Sequence, residues 1–427
     1  MFSRAAPAHE FMKTYHTHTL ANGLRLIHEP SLSEVVYCGY VVMAGTRHEE
    51  EEESGMAHFI EHMSFKGTAR RKAVHIANGL ERVGGDLNAF TNKQETVYYA
   101  TVLRPDFARA VDLLTDIVFC STYPQHEINK ECEVVCDEID SYKDSPAEII
   151  FDEFESLIFP GHPLGRDILG QADRLRQYVT ADLRRFTDRY YRPSNVIFYV
   201  YGNVPFERVV ALVEKAHAAL PFGPAAPACC PSAVLSPAPV SQTGVHVRRR
   251  DTHQAHVLVG APAYGGRDDR RYALLMLNNI LGGPGMNSRL NMSLRERAGL
   301  VYSVDSYLST YPDAGFWNAY FGCDIADVDR CLRLLRKELA RLSDVQLSPR
   351  QLAVAKQQLR GQLGISCDAF EGYALALGKT FAHYGVHRDI DRTIAGIEAV
   401  TPGQLQAVAA EVYAPDRLTT LIYRPEA

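Results

Sequence analysis

The sequence predicts an α+β fold in which two similar α/β-sandwich domains follow each other as a tandem repeat. Two observations lead to this prediction: one order of strands and helices occurs twice, and a proline-rich segment separates the two occurrences. The length of 427 residues is also sufficient for two domains with their own cores. We therefore predict a first domain over 1–220, a linker over 221–243 and a second domain over 244–427.

The repeated order is β-β-α-α-β-β-α, and it is visible as a pattern rather than as sequence identity. Each half begins with two apolar, β-branched runs that are typical of buried strands. They cover 23–27 and 35–43 in the first half, and 244–247 and 256–260 in the second. Further strands are predicted over 95–102, 301–309 and 316–322, and amphipathic helices over 105–119 and 328–342.

The segment 221–239 contains six prolines and no charged residue. Repeated proline removes backbone donors and is incompatible with helix interiors and central strands, so we interpret this segment as a linker. It includes the adjacent Cys229 and Cys230, which we interpret as incidental loop thiols. The odd total of nine cysteines in a chain of this size favours reduced thiols over a disulfide framework.

Composition and charge narrow the class of protein. Hydrophobic residues make up 46% and charged residues 22%, as in ordinary globular enzymes, and the net charge of −6 gives no support to nucleic-acid binding. The longest apolar stretch, 35–44, is too short to cross a bilayer as a helix. The N-terminus lacks the apolar core of a secretory signal. We expect a cytoplasmic protein with no nucleic-acid and no membrane partner.

The most informative segment is His58-Phe-Ile-Glu61-His62. Its surroundings favour a helix, with Ser54 as the expected N-cap. Residues at i and i+4 lie one turn apart on nearly the same face, so His58 and His62 can bind one metal ion, and imidazole suits Zn²⁺. Glu61 lies on the flank of that face, within reach of a metal-bound water. A helix with two hydrogen-bonded histidines and a solvated glutamate is the alternative.

A catalytic zinc needs a third protein ligand and one open position. The predicted helix 129–140 offers Glu131 and Glu138, which lie two turns apart on one face. One of them can bind the metal while the other orients a ligand. Cys132 and Cys136 project away from this face, and we expect them in the core. Taken alone, the segment favours an ordinary charged helix face over a metal-binding one.

Together these segments resemble the pitrilysin/insulinase family of inverzincin zinc metallopeptidases, and most of all its branch with the mitochondrial processing peptidase and single-chain bacterial relatives. The matching segments span most of the chain. They are 22–26, 45–46, 55–68, 84–91, 131–139, 163–165, 168–170, 282–283 and 288–290. Their joint occurrence is far more specific than the five-residue motif alone.

The resemblance implies one Zn²⁺ per chain, held by His58, His62 and Glu138. It implies Glu61 as the general base and Glu131 as a supporting carboxylate. The expected activity is that of a zinc-dependent endopeptidase, a hydrolase that cuts extended peptides or unfolded segments in a chamber between the domains. Water attacks directly in such a reaction, so no covalent nucleophile is needed.

The second half has no His-x-x-Glu-His motif, but it carries Arg295 and Tyr302, seven residues apart. This spacing resembles the family's Arg and Tyr that reach from the second domain toward the substrate. By this resemblance, Arg295 binds a peptide carbonyl or carboxylate, and Tyr302 donates to the developing oxyanion. Without it, the two residues are simply a surface arginine on a helix and a tyrosine on a strand.

The segment Asn88-Ala89-Phe90-Thr91 resembles the family's edge strand, which pairs with the substrate backbone by strand addition. The alternative is an ordinary strand inside the sheet. Five consecutive glutamates, 49–53, precede the metal-binding helix. We expect them to form a solvated loop whose charges suit a helix N-terminus, and we base no substrate preference on them.

Larger family members close a chamber with four such domains, whereas this chain has two. Because the chain has both the predicted zinc ligands and the Arg295/Tyr302 pair, we expect a homodimer that acts on peptide substrates. Three other functions remain open: a non-catalytic assembly subunit, a regulatory subunit that binds peptides without cutting them, and a zinc hydrolase for a non-peptide amide.

Overall fold

A computed structural model describes residues 15–223 and 241–425 of the chain. Residues 224–240, which include most of the predicted linker with Cys229 and Cys230, lie outside the described residues, so the domain limits stay predictions. The first half contains the strands β1 His16–Thr19, β2 Arg25–Glu29, β3 Val35–Val42, β4 Asp86–Thr91, β5 Thr96–Leu103 and β6 Val196–Tyr201. The second half contains β7 Gly244–Arg250, β8 Ala255–Ala263, β9 Val301–Thr310, β10 Gly315–Cys323 and β11 Thr419–Pro425.

Helices connect the strands in both halves. The first half has α1 Met56–Ser64, α2 Ala73–Glu81, α3 Phe107–Phe119, α4 Gln125–Lys143, α5 Pro146–Ile158, α6 Ala172–Leu175, α7 Thr180–Tyr190 and α8 Phe206–Ala218. The second half has α9 Arg271–Gly282, α10 Val328–Asp344, α11 Pro349–Ser366, α12 Phe370–Tyr384, α13 Ile390–Ala399 and α14 Pro402–Val412. A π-helical segment, Asn291–Glu296, replaces the second helix of the repeat in this half. In the described parts of the chain, no helix is long and apolar enough to span a bilayer.

The two sheets confirm the tandem repeat. The first has the order β1-β2-β6-β3-β5-β4 and the second the order β7-β11-β8-β10-β9, so the strands correspond one to one apart from β1. The last strand of each half lies parallel to its first long strand, and the remaining corresponding pairs are antiparallel. The predicted pattern lacked these closing strands, β6 and β11, which come long after the other strands of each half.

Each half covers the sheet of the other half with one helix. On α5, Ile150 and Phe154 are fully buried against Leu258 and Tyr423 of the second sheet. On α12, Leu377 and Phe381 pack in the same way against apolar residues of the first sheet, among them Ile197. Because each sheet needs a helix from the other half to bury its apolar face, the two halves form one packed unit.

Buried charges add to the contact between the halves. The guanidinium of Arg47 donates to both carboxylate oxygens of Asp313 in the β9–β10 turn, with an Nη1–Oδ1 distance of 2.7 Å. Both side chains are only 7% exposed. A bidentate, largely desolvated pair of this kind fixes orientation as well as distance, so it sets the position of the loop before α1 relative to the second half.

The N-terminus of α1 is held by a carboxylate rather than by the predicted cap. Gly55, not Ser54, is the N-cap residue, and its left-handed φ of 79° favours glycine. The buried carboxylate of Glu49 accepts hydrogen bonds from the backbone N–H groups of Gly55 and Ala57, at 3.1 and 2.9 Å. Burial raises the pKa of Glu49 to about 8, although these two hydrogen bonds oppose the shift.

The glutamate run 49–53 is therefore only partly the solvated loop that we expected. Glu49 and Glu53 are 4% and 8% exposed, whereas the three residues between them are exposed. Glu53 is bound by Arg189, with both carboxylate oxygens 2.5 Å from Nη2. The two ends of the run thus anchor the segment that leads into α1.

We expect Glu49→Ala to lower the free energy of unfolding by about 1–3 kcal/mol, because it leaves two helix N–H groups buried without acceptors. Urea unfolding followed by circular dichroism measures this loss. Glu51→Ala removes an exposed member of the same run and serves as the matched control, with an expected change below about 0.5 kcal/mol. Equal effects of the two substitutions would contradict the anchoring role of Glu49.

A second charged cluster joins α12 to the β4–β5 turn. The carboxylate of Glu95, only 2% exposed, lies 2.6 Å from Nε2 of His383 and 3.0 Å from Nζ of Lys379. Asn92 donates to it as well, at 2.6 Å. Burial acts to raise the pKa of Glu95, but the hydrogen bond from His383 and the charge of Lys379 outweigh burial and lower the pKa to about 2.

The low pKa of Glu95 predicts a pH-dependent contribution to stability. Since the pKa lies below its ordinary value of 4.5, the ionised carboxylate stabilises the folded state above pH 4.5, and this contribution disappears as the pH falls toward 2. The Tm difference between wild type and Glu95→Gln is therefore constant above about pH 5 and shrinks below it. Thermal unfolding across this range tests the prediction, with the exposed Glu81→Gln as control. A Tm difference independent of pH would refute it.

Candidate metal centre

Helix α1 brings the two predicted histidine ligands together. His58 and His62 lie one turn apart, and their ring centroids are 4.6 Å from each other. His58 is 8% exposed, while the side chain of His62 is 23% exposed. The i, i+4 spacing therefore produces the shared face that the sequence predicts, with one ring buried and the other at the surface of the site.

Helix α4 packs against α1 and supplies the third group. The possible ligand atoms of His58, His62 and Glu138 all lie within 4.8 Å of one another. Nε2 of His58 is 3.9 Å from Oε1 of Glu138, and Nε2 of His62 is 3.6 Å from Oε2. Two atoms that bind one tetrahedral zinc at ~2.0 Å lie about 3.3 Å apart. The three side chains are thus close to the spacing that such an ion requires.

Glu131 occupies a different place from Glu138. Its carboxylate accepts a hydrogen bond from Nδ1 of His62 at 2.9 Å and lies 2.5 Å from Nζ of Lys66. Burial acts to raise the pKa of Glu131, but these two partners outweigh burial and lower the pKa. Because an ionised carboxylate can only accept, His62 carries a proton on Nδ1, and in the neutral imidazole the lone pair is on Nε2, which lies 3.6 Å from Oε2 of Glu138.

The charges around the histidines differ as well. Burial and then the neighbouring His62 lower the pKa of His58 to about 3, which keeps its imidazole neutral at physiological pH. For His62, burial acts to lower the pKa, but Glu131, Glu61 and Glu138 together raise it. Nδ1 of His58 is buried, and the described residues give it no hydrogen-bond partner. Of the two histidines, His62 alone has its Nδ1 hydrogen-bonded to a carboxylate, that of Glu131.

Glu61 lies beside the cluster of His58, His62 and Glu138 without belonging to it. Its Oε2 accepts a hydrogen bond from Oγ1 of Thr91 at 2.7 Å. Burial raises the pKa of Glu61, while Thr91 opposes the shift. A carboxylate with a raised pKa, held next to a possible metal site, has the properties of a general base.

The predicted substrate strand lies at the edge of the first sheet. Residues Asn88, Ala89, Phe90 and Thr91 belong to β4, the outermost strand, which is paired with β5 on one side. The alternative of an interior strand is therefore wrong. Thr91, at the end of β4, contacts Glu61. The edge of the sheet and the cluster of titratable groups are thus directly connected.

Arg295 and Tyr302 lie in the second half. Arg295 is in the π-helical segment, and its acidic neighbour is Glu296, at 3.6 Å. Tyr302 lies on β9, the edge strand of the second sheet, and is 91% exposed. Neither forms a hydrogen bond or ion pair with His58 or the other residues of the cluster among the described parts of the chain. Their predicted role stays a prediction.

Two contributors to the site were missed from the sequence. Lys66 neutralises Glu131, and its position four residues after His62 was the available signal. Glu49 anchors the first turn of α1, but a residue outside the helix at this distance matches no capping pattern. The expected core position of Cys132 and Cys136 is confirmed, since both are buried among apolar side chains of the first half.

Family models match both halves of the chain. The insulinase model, peptidase family M16, matches residues 26–172, and the model described as the peptidase M16 inactive domain matches residues 179–359. An uncharacterized zinc protease of Bacillus subtilis is 34% identical and covers 95% of this chain and 97% of its own. One of Mycobacterium tuberculosis is 36% identical over 92% of this chain and 89% of its own.

Solved structures share the whole fold. A protease from Helicobacter pylori has a TM-score of 0.87 at 21% identity and covers 97% of this chain and 100% of its own. A peptidase M16 inactive domain from Pseudomonas fluorescens has a TM-score of 0.86 at 19% identity, covering 97% and 98%. Because the sequence matches reach across both halves and most of each relative, the chain belongs to the insulinase family of zinc peptidases, peptidase family M16.

Proposed function

We propose that this chain is a zinc-dependent endopeptidase that hydrolyses extended peptides or unfolded segments. The observation that carries the proposal is the convergence of His58, His62 and Glu138 beside the independently held carboxylate of Glu61. Two imidazole nitrogens and one carboxylate oxygen are a ligand set that catalytic zinc sites use, with the fourth position open. One ion per chain fits this donor set.

When bound, zinc supplies an acidified water and polarises the substrate carbonyl. Glu61 accepts the proton of the attacking water and returns it to the leaving amine. A raised pKa suits this work, because proton transfer in both directions is efficient when the pKa approaches the working pH. Thr91 holds the carboxylate in place, and Glu131 with Lys66 fixes the ring of His62.

The edge of β4 supports an extended binding mode for the substrate. A peptide that adds to this edge pairs through its main chain, which gives weak sequence selectivity and requires a short or unfolded substrate. Tyr302, with its exposed phenol, donates to the developing oxyanion, and Arg295 binds a peptide carbonyl or carboxylate once the second half meets the substrate. The length of two domains fits the branch of the mitochondrial processing peptidase.

Cleavage of a mixed library of unstructured peptides tests this function. We expect wild type to cut, a chelator to abolish cutting and added Zn²⁺ to restore it. Glu61→Gln lowers the rate by about 10²–10⁴-fold while one zinc per chain stays bound, because the amide cannot accept the proton. Zinc content by atomic absorption accompanies each assay.

Two further variants separate the roles of carboxylates on α4. Glu138→Gln loses zinc, whereas Glu133→Gln, an exposed change on the same helix, keeps both zinc and activity. Zinc-loaded Glu61→Gln that cuts as fast as wild type would contradict the general-base role. Wild type that binds zinc and cuts nothing would favour a subunit that binds peptides without cutting them, and cleavage of amides other than peptides would favour a different hydrolase.

We further propose that the active form is a homodimer, in which two chains together enclose the substrate. Size-exclusion chromatography with light scattering is expected to give twice the 47.6 kDa mass of one chain. Dilution below the dimer dissociation constant is then expected to reduce specific activity, since each chamber needs both chains. A monomer with full activity at every concentration contradicts this assembly.

A further inference from the structure

We propose that a groove between the two halves ends in a binding site for the carboxylates of a peptide. The inference deepens the proposed function, since it rests on a peptide being the substrate, and it defines a substrate class: peptides that carry a carboxylate-rich end. Two adjoining cavities and the charges around the second one carry this proposal.

The first cavity, of about 430 Å³, begins at the predicted substrate strand. Phe90 of β4 lines it, together with residues of α12 and of the β9–β10 turn. Successive side chains of a strand point to opposite faces. Because Thr91 contacts Glu61, its neighbour Phe90 faces the other side, toward the second half. A peptide paired to the edge of β4 would therefore also present side chains to this cavity.

The second cavity, of about 600 Å³, adjoins the first. Both are lined by Thr310, Thr380 and Tyr384, so these side chains form their shared wall. Tyr384 packs directly on Gly266, where a Cβ would collide with the phenol oxygen. Glycine at this position thus allows Tyr384 to occupy the wall that the two cavities share.

The lining of the second cavity is rich in positive charge. It contains four arginines against two aspartates. The arginines are Arg267, Arg271, Arg388 and Arg392.

The other charged groups of the lining already have partners or face solvent. Asp389 is engaged, because its carboxylate accepts the backbone N–H of Arg392 as the N-cap of α13. Asp269 is 94% exposed and lies 3.9 Å from Arg271. His387, also in the lining, is paired with Glu29 at 2.7 Å.

Several of these guanidinium groups have donors without acceptors. Arg388 stacks over the ring of Tyr373 at 4.7 Å, and its Nη1 is buried without a hydrogen-bond partner among the described residues. The side chains of Arg267 and Arg392 form no ion pair or hydrogen bond within the same described parts of the chain. The buried Nη1 of Arg388 favours a ligand that brings an acceptor, whereas Arg267 and Arg392 are exposed and add positive charge around it.

Carboxylates are the peptide groups that fit this site best. The planar fork of a guanidinium matches the two oxygens of a carboxylate, and neighbouring arginines strengthen binding. A peptide offers carboxylates from two sources, its C-terminus and its Asp or Glu side chains. The geometry indicates a carboxylate ligand, which both sources provide. The peptides used in the test distinguish a C-terminal carboxylate from a side-chain carboxylate.

The test measures binding by fluorescence anisotropy to full-length Glu61→Gln, which holds peptides without cutting them. Four labelled peptides share one neutral sequence. The first pair differs only at the C-terminus, which is a free acid in one peptide and an amide in the other. The second pair has an amidated C-terminus and ends in three glutamates in one peptide and three glutamines in the other. We expect at least one carboxylate form to bind about tenfold more tightly than its neutral counterpart, with a preference that weakens as salt rises.

Charge reversal then locates the site. Arg267→Glu and Arg392→Glu change exposed side chains, so both variants are expected to fold, as checked by circular dichroism. Each reduces the carboxylate preference at least fivefold. Arg336→Glu, an exposed reversal on α10 and away from the groove, leaves the preference unchanged. It is the matched control for a general effect of net charge.

Equal binding of the acidic and neutral peptides, absence of binding by all four, or an unchanged preference in both groove variants would overturn the inference. Its failure is distinguishable from that of the proposed function. If wild type cuts peptides but shows no carboxylate preference, only the proposed carboxylate site is refuted. If wild type cuts nothing but binds carboxylate peptides in a way that depends on Arg267 and Arg392, only the proposed peptidase activity is refuted.

Discussion

The exchange of helices between the halves is the constraint on which the rest of this structure depends. Each sheet has one face covered by its own helices and one face covered by a helix from the other half, α5 or α12. An apolar sheet face exposed to water is costly, so neither half has a complete core without the other. The relative position of the halves is therefore part of the fold, and so is the groove between them.

This exchange also determines what surrounds the candidate metal site. Helix α12 carries Lys379 and His383 to Glu95, in the turn that follows the edge strand β4, while Asp313 binds Arg47 shortly before α1. These ion pairs connect the second half to the segments on either side of the candidate site. A change in how the halves pack would move both the loop before α1 and the end of β4.

The glutamates of the candidate site differ in ionisation and contacts because their surroundings differ. Glu131 is ionised between His62 and Lys66, Glu61 has a raised pKa beside Thr91, and Glu138 faces both imidazole rings. Glu49, outside the site, anchors the helix that carries the histidines. The carboxylates are chemically equivalent in the sequence, and only their burial and hydrogen-bond partners give them different pKa shifts and contacts.

The sequence by itself determined the features that depend on local spacing. The i, i+4 spacing places His58 and His62 on one face of a helix, and the repeated element order predicts two similar sheets. Tertiary structure decided what depends on contacts distant in sequence. It placed Glu138 rather than Glu131 opposite both histidines and put β4 at an edge of the sheet. It also made Gly55 the N-cap residue of α1 instead of Ser54, with Glu49 as the acceptor for the first backbone N–H groups. It also brought Arg267 and Arg392 to the lining of a cavity that adjoins the one lined by Phe90. Helical periodicity acts over a few residues, whereas these arrangements follow from how whole helices and sheets pack, which no short pattern encodes.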